Sequence, residues 1–245
     1  MGNLMSTTLI GLSAGVIGTG LGGVLAFFIT NPSKRFLSGI TGLAAGIMTA
    51  IVTFELIPEA FMIGDTFMVA MGIALGTLLL SYLDEFISKA SWGRMKRGEG
   101  YIKTAVLIGM GVALHNFPEG LAIGSGFAAY PKLGISLAIV IALHNMPEGV
   151  AMITPLKMDG YSSFHAFLWT LLAGVPMGLG AFMGVLIGEY AYTLIGISLA
   201  FAGGTMLYIS FGELIPKAKE LYPGKTSTFF AIMGFILGMW VCKRF

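Results

Sequence analysis

The chain has 245 residues, of which 56% are hydrophobic and only 11% charged, and its mean hydropathy is +0.87. Soluble domains carry about 25% charged residues, so a water-soluble globular enzyme is excluded, and a net charge of +2 gives no basis for nucleic-acid binding. A single cysteine, Cys242, rules out an internal disulfide and a thiolate cluster.

Apolar stretches between charged or turn-forming breaks predict eight spans, at 5–29, 36–63, 65–88, 103–129, 133–156, 161–188, 190–216 and 226–242. Each is long enough to cross a hydrocarbon layer of roughly 30 Å as a helix. The first has no Lys or Arg before its apolar core and runs too long for a signal peptide, so it reads as a retained helix. The 36 glycines suit closely packed transmembrane helices. The expected fold is therefore a single all-α integral membrane domain over residues 1–245. The largest connection, from Lys89 to Lys103, holds Arg94, Lys96 and Arg97. Connections after odd-numbered spans carry 11 of the 14 basic residues, among them Lys34, Arg35, Lys217, Lys219 and Lys225. Cytoplasmic loops carry the excess of Lys and Arg, so both termini are expected outside the cytoplasm.

Two short motifs occur twice. HNFPEG occupies 115–120 in the fourth span and HNMPEG 144–149 in the fifth; ELIP occupies 55–58 in the second and 213–216 in the seventh. This spacing predicts an inverted pseudo-twofold repeat, arranged three plus two plus three, with its axis between the fourth and fifth spans. The expectation relates spans one to three with eight to six. An ionisable residue at mid-membrane costs roughly 2.5–3.5 kcal/mol on insertion scales, and Glu119 and Glu148 lie well inside their spans, so something must offset that cost. Histidine and glutamate four residues apart share a helix face, about 6 Å apart along the axis. His115 with Glu119, and His144 with Glu148, can thus point into one cleft. Pro118 and Pro147 should free the carbonyls of Leu114 and Leu143, and Gly120 and Gly149 permit close packing. Two imidazoles, two carboxylates and the amide oxygens of Asn116 and Asn145 form a nitrogen and oxygen ligand set. Such a set suits zinc, iron, manganese or cobalt. Glu55, Glu59 and Glu213, near span ends, are expected to line a pathway. His165 has no carboxylate at helical spacing, and Asp84 and Glu85 are expected to be solvated.

These residues resemble the ZIP family of metal-ion transporters, in particular its prokaryotic-type branch of broad selectivity, and the likeness covers essentially the whole chain. The resemblance implies a binuclear mid-membrane site. His115, Glu119, His144 and Glu148 would form the primary site, and Asn116 and Asn145 would belong to a second one, bridged to the first by Glu119 and Glu148. Met48 matches a metal-facing methionine of some relatives; Glu55 and Glu213 would be entrance and exit. Two departures stand out. Met177 occupies a position where many relatives have Glu, and Asn145 stands where close relatives often have Asp, so one well-formed site and a weaker neighbour are expected. The family's His-rich cytoplasmic loop is missing, since the 89–103 segment has no histidine. The function implied is transport of divalent transition metals into the cytoplasm across a plasma membrane, the inner membrane in a bacterium. Zinc comes first, with iron, manganese, cobalt and cadmium as further cargo; the metal is substrate, no cofactor is expected, and the protein is not an enzyme. Expected partners are metal ions and the lipid bilayer, and the glycine-rich helix faces are open to intramolecular packing or a homodimer. The rival reading is an intramembrane zinc hydrolase built on the same ligands, but the chain has no HExxH motif. A carrier of anionic organic solutes would need cationic contacts in the core, and no Arg lies inside a predicted span.

Overall fold

The computed structural model describes residues 4–28, 32–89, 101–158 and 162–244, and among these all regular structure is helical. In lipid a backbone has no water to bond, so a spanning segment must satisfy its own amides, and a helix does so within one segment. The helices are α1 (Leu4–Phe28), α2 (Lys34–Ile51), α3 (Ile57–Ile63), α4 (Thr66–Lys89), α5 (Tyr101–Ala129), α6 (Pro131–Met158), α7 (Ser163–Ala173), α8 (Val175–Tyr190), α9 (Tyr192–Tyr208), α10 (Ile215–Leu221) and α11 (Thr226–Arg244). Among the described residues, seven continuous stretches are long and apolar enough to cross a membrane: Leu4–Leu25, Lys34–Ile63, Thr66–Phe86, Pro131–Val150, Ser163–Tyr190, Tyr192–Leu221 and Thr226–Arg244. α5, 29 residues long, coincides with the predicted fourth span. Residues 90–100, the middle of the basic connection, lie outside the described residues.

Helix starts follow local chemistry. Ser33 Oγ accepts from Phe36 N at 3.1 Å, Asp65 Oδ1 from Met68 N at 2.8 Å, and Ser162 Oγ from His165 N at 3.3 Å, each satisfying an amide that the first turn leaves free. The predicted sixth span is broken at Gly174 into α7 and α8. Pro176 has no N–H to offer one turn back, and the chain tightens there instead, with Gly174 N on Leu171 O at 3.1 Å and Met177 N on Gly174 O at 3.2 Å. The seventh span runs on to Leu221, beyond its expected end at 216, because Lys217, Lys219 and Glu220 continue the helix as a polar turn.

Both ELIP motifs fall at a π-helical turn, Val52–Leu56 holding Glu55 and Ile209–Leu214 holding Glu213. In each, the amide of the Ile of ELIP reaches back five residues, Ile57 to Val52 O and Ile215 to Ser210 O. The following Pro58 and Pro216 donate nothing, so one wider turn before each re-registers the ladder. π-turns of this kind are frequent at functional sites.

Packing sorts the helices into two groups. α1 lies along α6 and α8, and α8 along α5; α4 lies along α9, and α11 along α2. Contact is backbone to backbone where glycine allows it. A Cβ at Gly120 would strike the Met177 carbonyl, and one at Gly149 the Thr19 carbonyl. The partners depart from the expected order of the repeat. If spans one and eight were equivalent, α1 on α6 would be mirrored by α11 on α5; it is mirrored instead by α8 on α5, and α4 on α9 is mirrored by α11 on α2. α4 and α11 leave large apolar side chains exposed, including Leu78 at 66% and Trp240 at 59%, as lipid-facing helices do.

Candidate metal centre

α5 and α6 bring the two six-residue motifs together in the interior of the bundle. Glu119, His144, Asn116 and Asn145 have no solvent exposure, while His115 and Glu148 are 8% exposed. Glu119, His144 and Glu148 each offer a ligand atom within 4.8 Å of the other two. The histidine–glutamate pairing links the two motifs, which their spacing left open. It crosses between helices: His144 Nε2 faces Glu119 Oε1 at 3.4 Å, and His115 Nδ1 meets Glu148 Oε1 at 3.2 Å. A shared helix face turns both groups of each motif toward the neighbouring helix, where they meet across the interface.

His144 is held in one tautomer. Its Nδ1 donates to the Ala44 carbonyl of α2 at 3.1 Å, and a carbonyl can only accept. In the neutral ring Nε2 therefore presents a lone pair, and it faces a carboxylate oxygen that also carries lone pairs. Both oxygens of Glu119, Nε2 of His144 and Oε2 of Glu148 are buried without a hydrogen-bond partner. Burying such groups unpaired costs about 1–3 kcal/mol each, more when charged. A cation placed among them turns mutual repulsion into coordination. Two carboxylates and one neutral imidazole match a divalent ion in charge and in donor type.

The other expected ligands fall around this cluster. Asn116 Nδ2 donates to the Ala173 carbonyl at 2.6 Å; the break between α7 and α8 leaves that carbonyl free, since Met177 N bonds Gly174 O instead. Asn145 Nδ2 faces Met177 Sδ at 4.0 Å. Each asparagine turns its donor away and leaves Oδ1 buried and unpaired. Met177 is fully buried and sets an apolar thioether beside Asn145. Met48 is fully buried in the core, one turn beyond Ala44 on α2.

The two ends of the α5–α6 pair differ. Toward the α5–α6 connection, Ser136 donates to Glu55 Oε1 at 2.8 Å and Tyr130 to Glu59 Oε2 at 2.9 Å. The Tyr130 phenol, in that connection, is pushed up to about 12, first by its partial burial and then by the Glu59 carboxylate it serves. Glu55 lies alongside Ser136, eight residues and so about 12 Å of α6 from His144. Glu213 is closer to the centre than its place at the end of the seventh span suggests. Its Oε2 is 3.1 Å from His115 Nε2, and its side chain is 30% exposed. His115 thus bridges two carboxylates, a geometry in which both ring nitrogens are occupied. The π-turn on the α9 side turns Glu213 inward, a displacement helical spacing does not encode. Ser136, Tyr130 and the Ala44 and Ala173 carbonyls were not legible as site partners; a serine in the first turn of an apolar span was the one available signal. His165 pairs locally, its Nδ1 2.7 Å from Ser162 Oγ. Asp84, expected to be solvated, accepts from Tyr208 at 3.0 Å because α4 packs on α9.

A family described as ZIP Zinc transporter matches residues 93–242. The chain is 36% identical to the zinc transporter ZupT of Corynebacterium aurimucosum, over 91% of this chain and 89% of that one. It is 32% identical to the zinc transporter GufA of Myxococcus xanthus, over 90% of this chain and 92% of the relative. ZupT of Nitratidesulfovibrio vulgaris is 32% identical over 89% of each chain.

Proposed function

We propose, since this chain belongs to the ZIP zinc transporter family, that zinc is its principal cargo and enters the cytoplasm by alternating access at the Glu119, His144 and Glu148 cluster. Divalent-metal transport across a membrane is its function, and it is not an enzyme. Iron, manganese, cobalt and cadmium are further cargo, since nitrogen and oxygen donors accept them too. The observation that carries the reading is the convergence of three buried ligand atoms whose lone pairs face one another with no donor between them.

In this reading residues 1–245 form one domain of eight spans, α5 being the fourth, in a plasma membrane with both termini outside the cytoplasm. The matching pairs of packed helices and the two π-turns support an inverted repeat that relates spans one, two and three to six, seven and eight in that order. Hydrated metal meets Glu55 first, with Met48 and Asn145 along its way. It sheds water at Glu119 and His144 and passes to Glu148. His115 then exchanges its hold on Glu148 or Glu213 for the metal, and Glu213 delivers the ion to the cytoplasmic side. Ser136 and Tyr130 close the outer end in the present conformation. Asn116 and Asn145 offer oxygen to a second ion, but Met177 supplies no charge there, so that neighbour holds metal weakly. The glycine-rich faces are taken up by packing within the chain, with Gly120 on α8 and Gly149 on α1, so two copies would pair through other faces.

Zinc uptake into proteoliposomes, wild type beside Glu148→Ala and His144→Ala, tests this, with manganese and iron(II) as competitors. Saturable uptake lost in both variants is expected, with zinc outcompeting the others. Zinc binding without flux in correctly inserted protein would overturn transport at this cluster.

A further inference from the structure

α2 and α11 run side by side in the same direction, with Gly42 against Ser227, Gly46 against Ala231 and Gly234 against Leu43. Both helices therefore begin at one end of the bundle, the end that the Lys and Arg distribution assigns to the cytoplasm. Between their starts lies an open cavity of about 600 Å³, lined by Arg35, Phe36, Lys225, Thr226, Phe229 and Phe230. No carboxylate is among the residues lining it; Glu220, on the adjoining α10, stands outside.

The cavity has a charged half and an apolar half. The charged half holds Arg35 and Lys225. Arg35 lies over the Tyr222 ring at 5.8 Å, which steadies the guanidinium and leaves its N–H edge open. The first turn of α2 is capped by Ser33. α11 differs: the residue ahead of it is Lys225, whose side chain can only donate, and its first helical bond is Phe229 N to Lys225 O at 2.9 Å. The amides of its first turn and the positive end of its dipole thus face the same space as the two cations. The apolar half is formed by Phe36, Phe229 and Phe230, exposed at 41%, 63% and 40%. At the end of a membrane-spanning helix pair, this combination sits at headgroup depth.

We propose that this cavity binds an anionic phospholipid, its phosphodiester held by Arg35, Lys225 and the start of α11, and its acyl chain lying on Phe229 and Phe230. The three exposed rings decide between lipid and a free phosphate ion, which has nothing to lay against them. The site is separate from metal transport. It fastens α11, whose outer face is otherwise open, to α2.

The test is native mass spectrometry of the full chain with dioctanoyl phosphatidylglycerol, dioctanoyl phosphatidylcholine and inorganic phosphate as probes. Saturable binding of the phosphatidylglycerol alone is expected, undiminished by inorganic phosphate in excess. Arg35→Gln combined with Lys225→Gln should weaken it about thirtyfold, the effect of two juxtamembrane charges. Lys132→Gln, at the opposite end, should leave it unchanged, and the charge-keeping pair Arg35→Lys and Lys225→Arg should retain binding. Unchanged zinc binding at the deep cluster certifies that the double variant is folded. Equal binding of both lipids, or no loss in the folded double variant, would overturn the proposal, and so would displacement by inorganic phosphate, which would leave only a free-anion site.

Discussion

Replacing Glu119 by glutamine separates the cost of the metal centre from its use. In the wild type both Glu119 oxygens are buried without hydrogen bonds, and Oε1 sits 3.4 Å from His144 Nε2, which carries a lone pair when the ring is neutral with its proton on Nδ1 toward Ala44. In Glu119→Gln one oxygen becomes an NH2 group that donates to that nitrogen. One unpaired acceptor is removed and one buried hydrogen bond is gained, together about 2 kcal/mol of added stability. For a chain of this size that is about 4–8 °C in Tm. Zinc acts in the other direction. At a zinc concentration one hundred times Kd, binding adds about 2.7 kcal/mol to the wild type. If the variant binds about a hundredfold more weakly, a loss of the size seen even for groups that only support a ligand, the same zinc adds about 0.4 kcal/mol. Thermal unfolding of purified protein, followed by intrinsic fluorescence, should therefore show the variant ahead in chelator and the lead gone in zinc. A variant that melts at or below the wild type in chelator would refute the account of unpaired lone pairs. An undiminished zinc shift would refute Glu119 as a ligand.

Met177→Glu places a carboxylate beside Asn145 and should raise zinc stoichiometry from one ion per chain to two in equilibrium dialysis; an unchanged ratio would mean that Met177 does not limit the second position. Ser136→Ala removes the donor from Glu55, a bond to a charged group worth about 1.5–3 kcal/mol, and should alter the KM for uptake while zinc affinity at the deep cluster stays the same. Uptake should fall as external pH drops from about 7 to 5, because the metal requires neutral imidazole and ionised carboxylate and protons compete for both; the raised phenol of Tyr130 stays protonated throughout this range. Gly120→Val forces a branched side chain against the Met177 carbonyl and should destabilise the α5–α8 contact by about 1–3 kcal/mol, read as a lower melting temperature or loss of monodisperse protein on size exclusion.

Apolarity and its interruptions determined much of this protein without any structure. A run of some 20 apolar residues has one stable form in lipid, so the helices could be read directly, and the second, third and eighth spans end within two residues of their expected bounds. The twofold HNxPEG motif named the metal-site candidates, because mid-membrane histidine and glutamate demand a partner. Tertiary structure decided how those residues meet. Equal four-residue spacings on α5 and α6 permit pairing within a helix or across the interface, and only packing distinguishes them; it set His144 against Glu119 and His115 against Glu148. The same holds for the Ala44 carbonyl that fixes the His144 tautomer, a backbone group with no signature in a side-chain sequence. The π-turns at the ELIP motifs add a residue to one turn, and rotate Glu55 and Glu213 away from where a regular helix would aim them. The order of the repeat was also left to packing. Repeated motifs suggest an axis, but which helix packs on which depends on the surfaces that glycine lets touch, far apart in the chain.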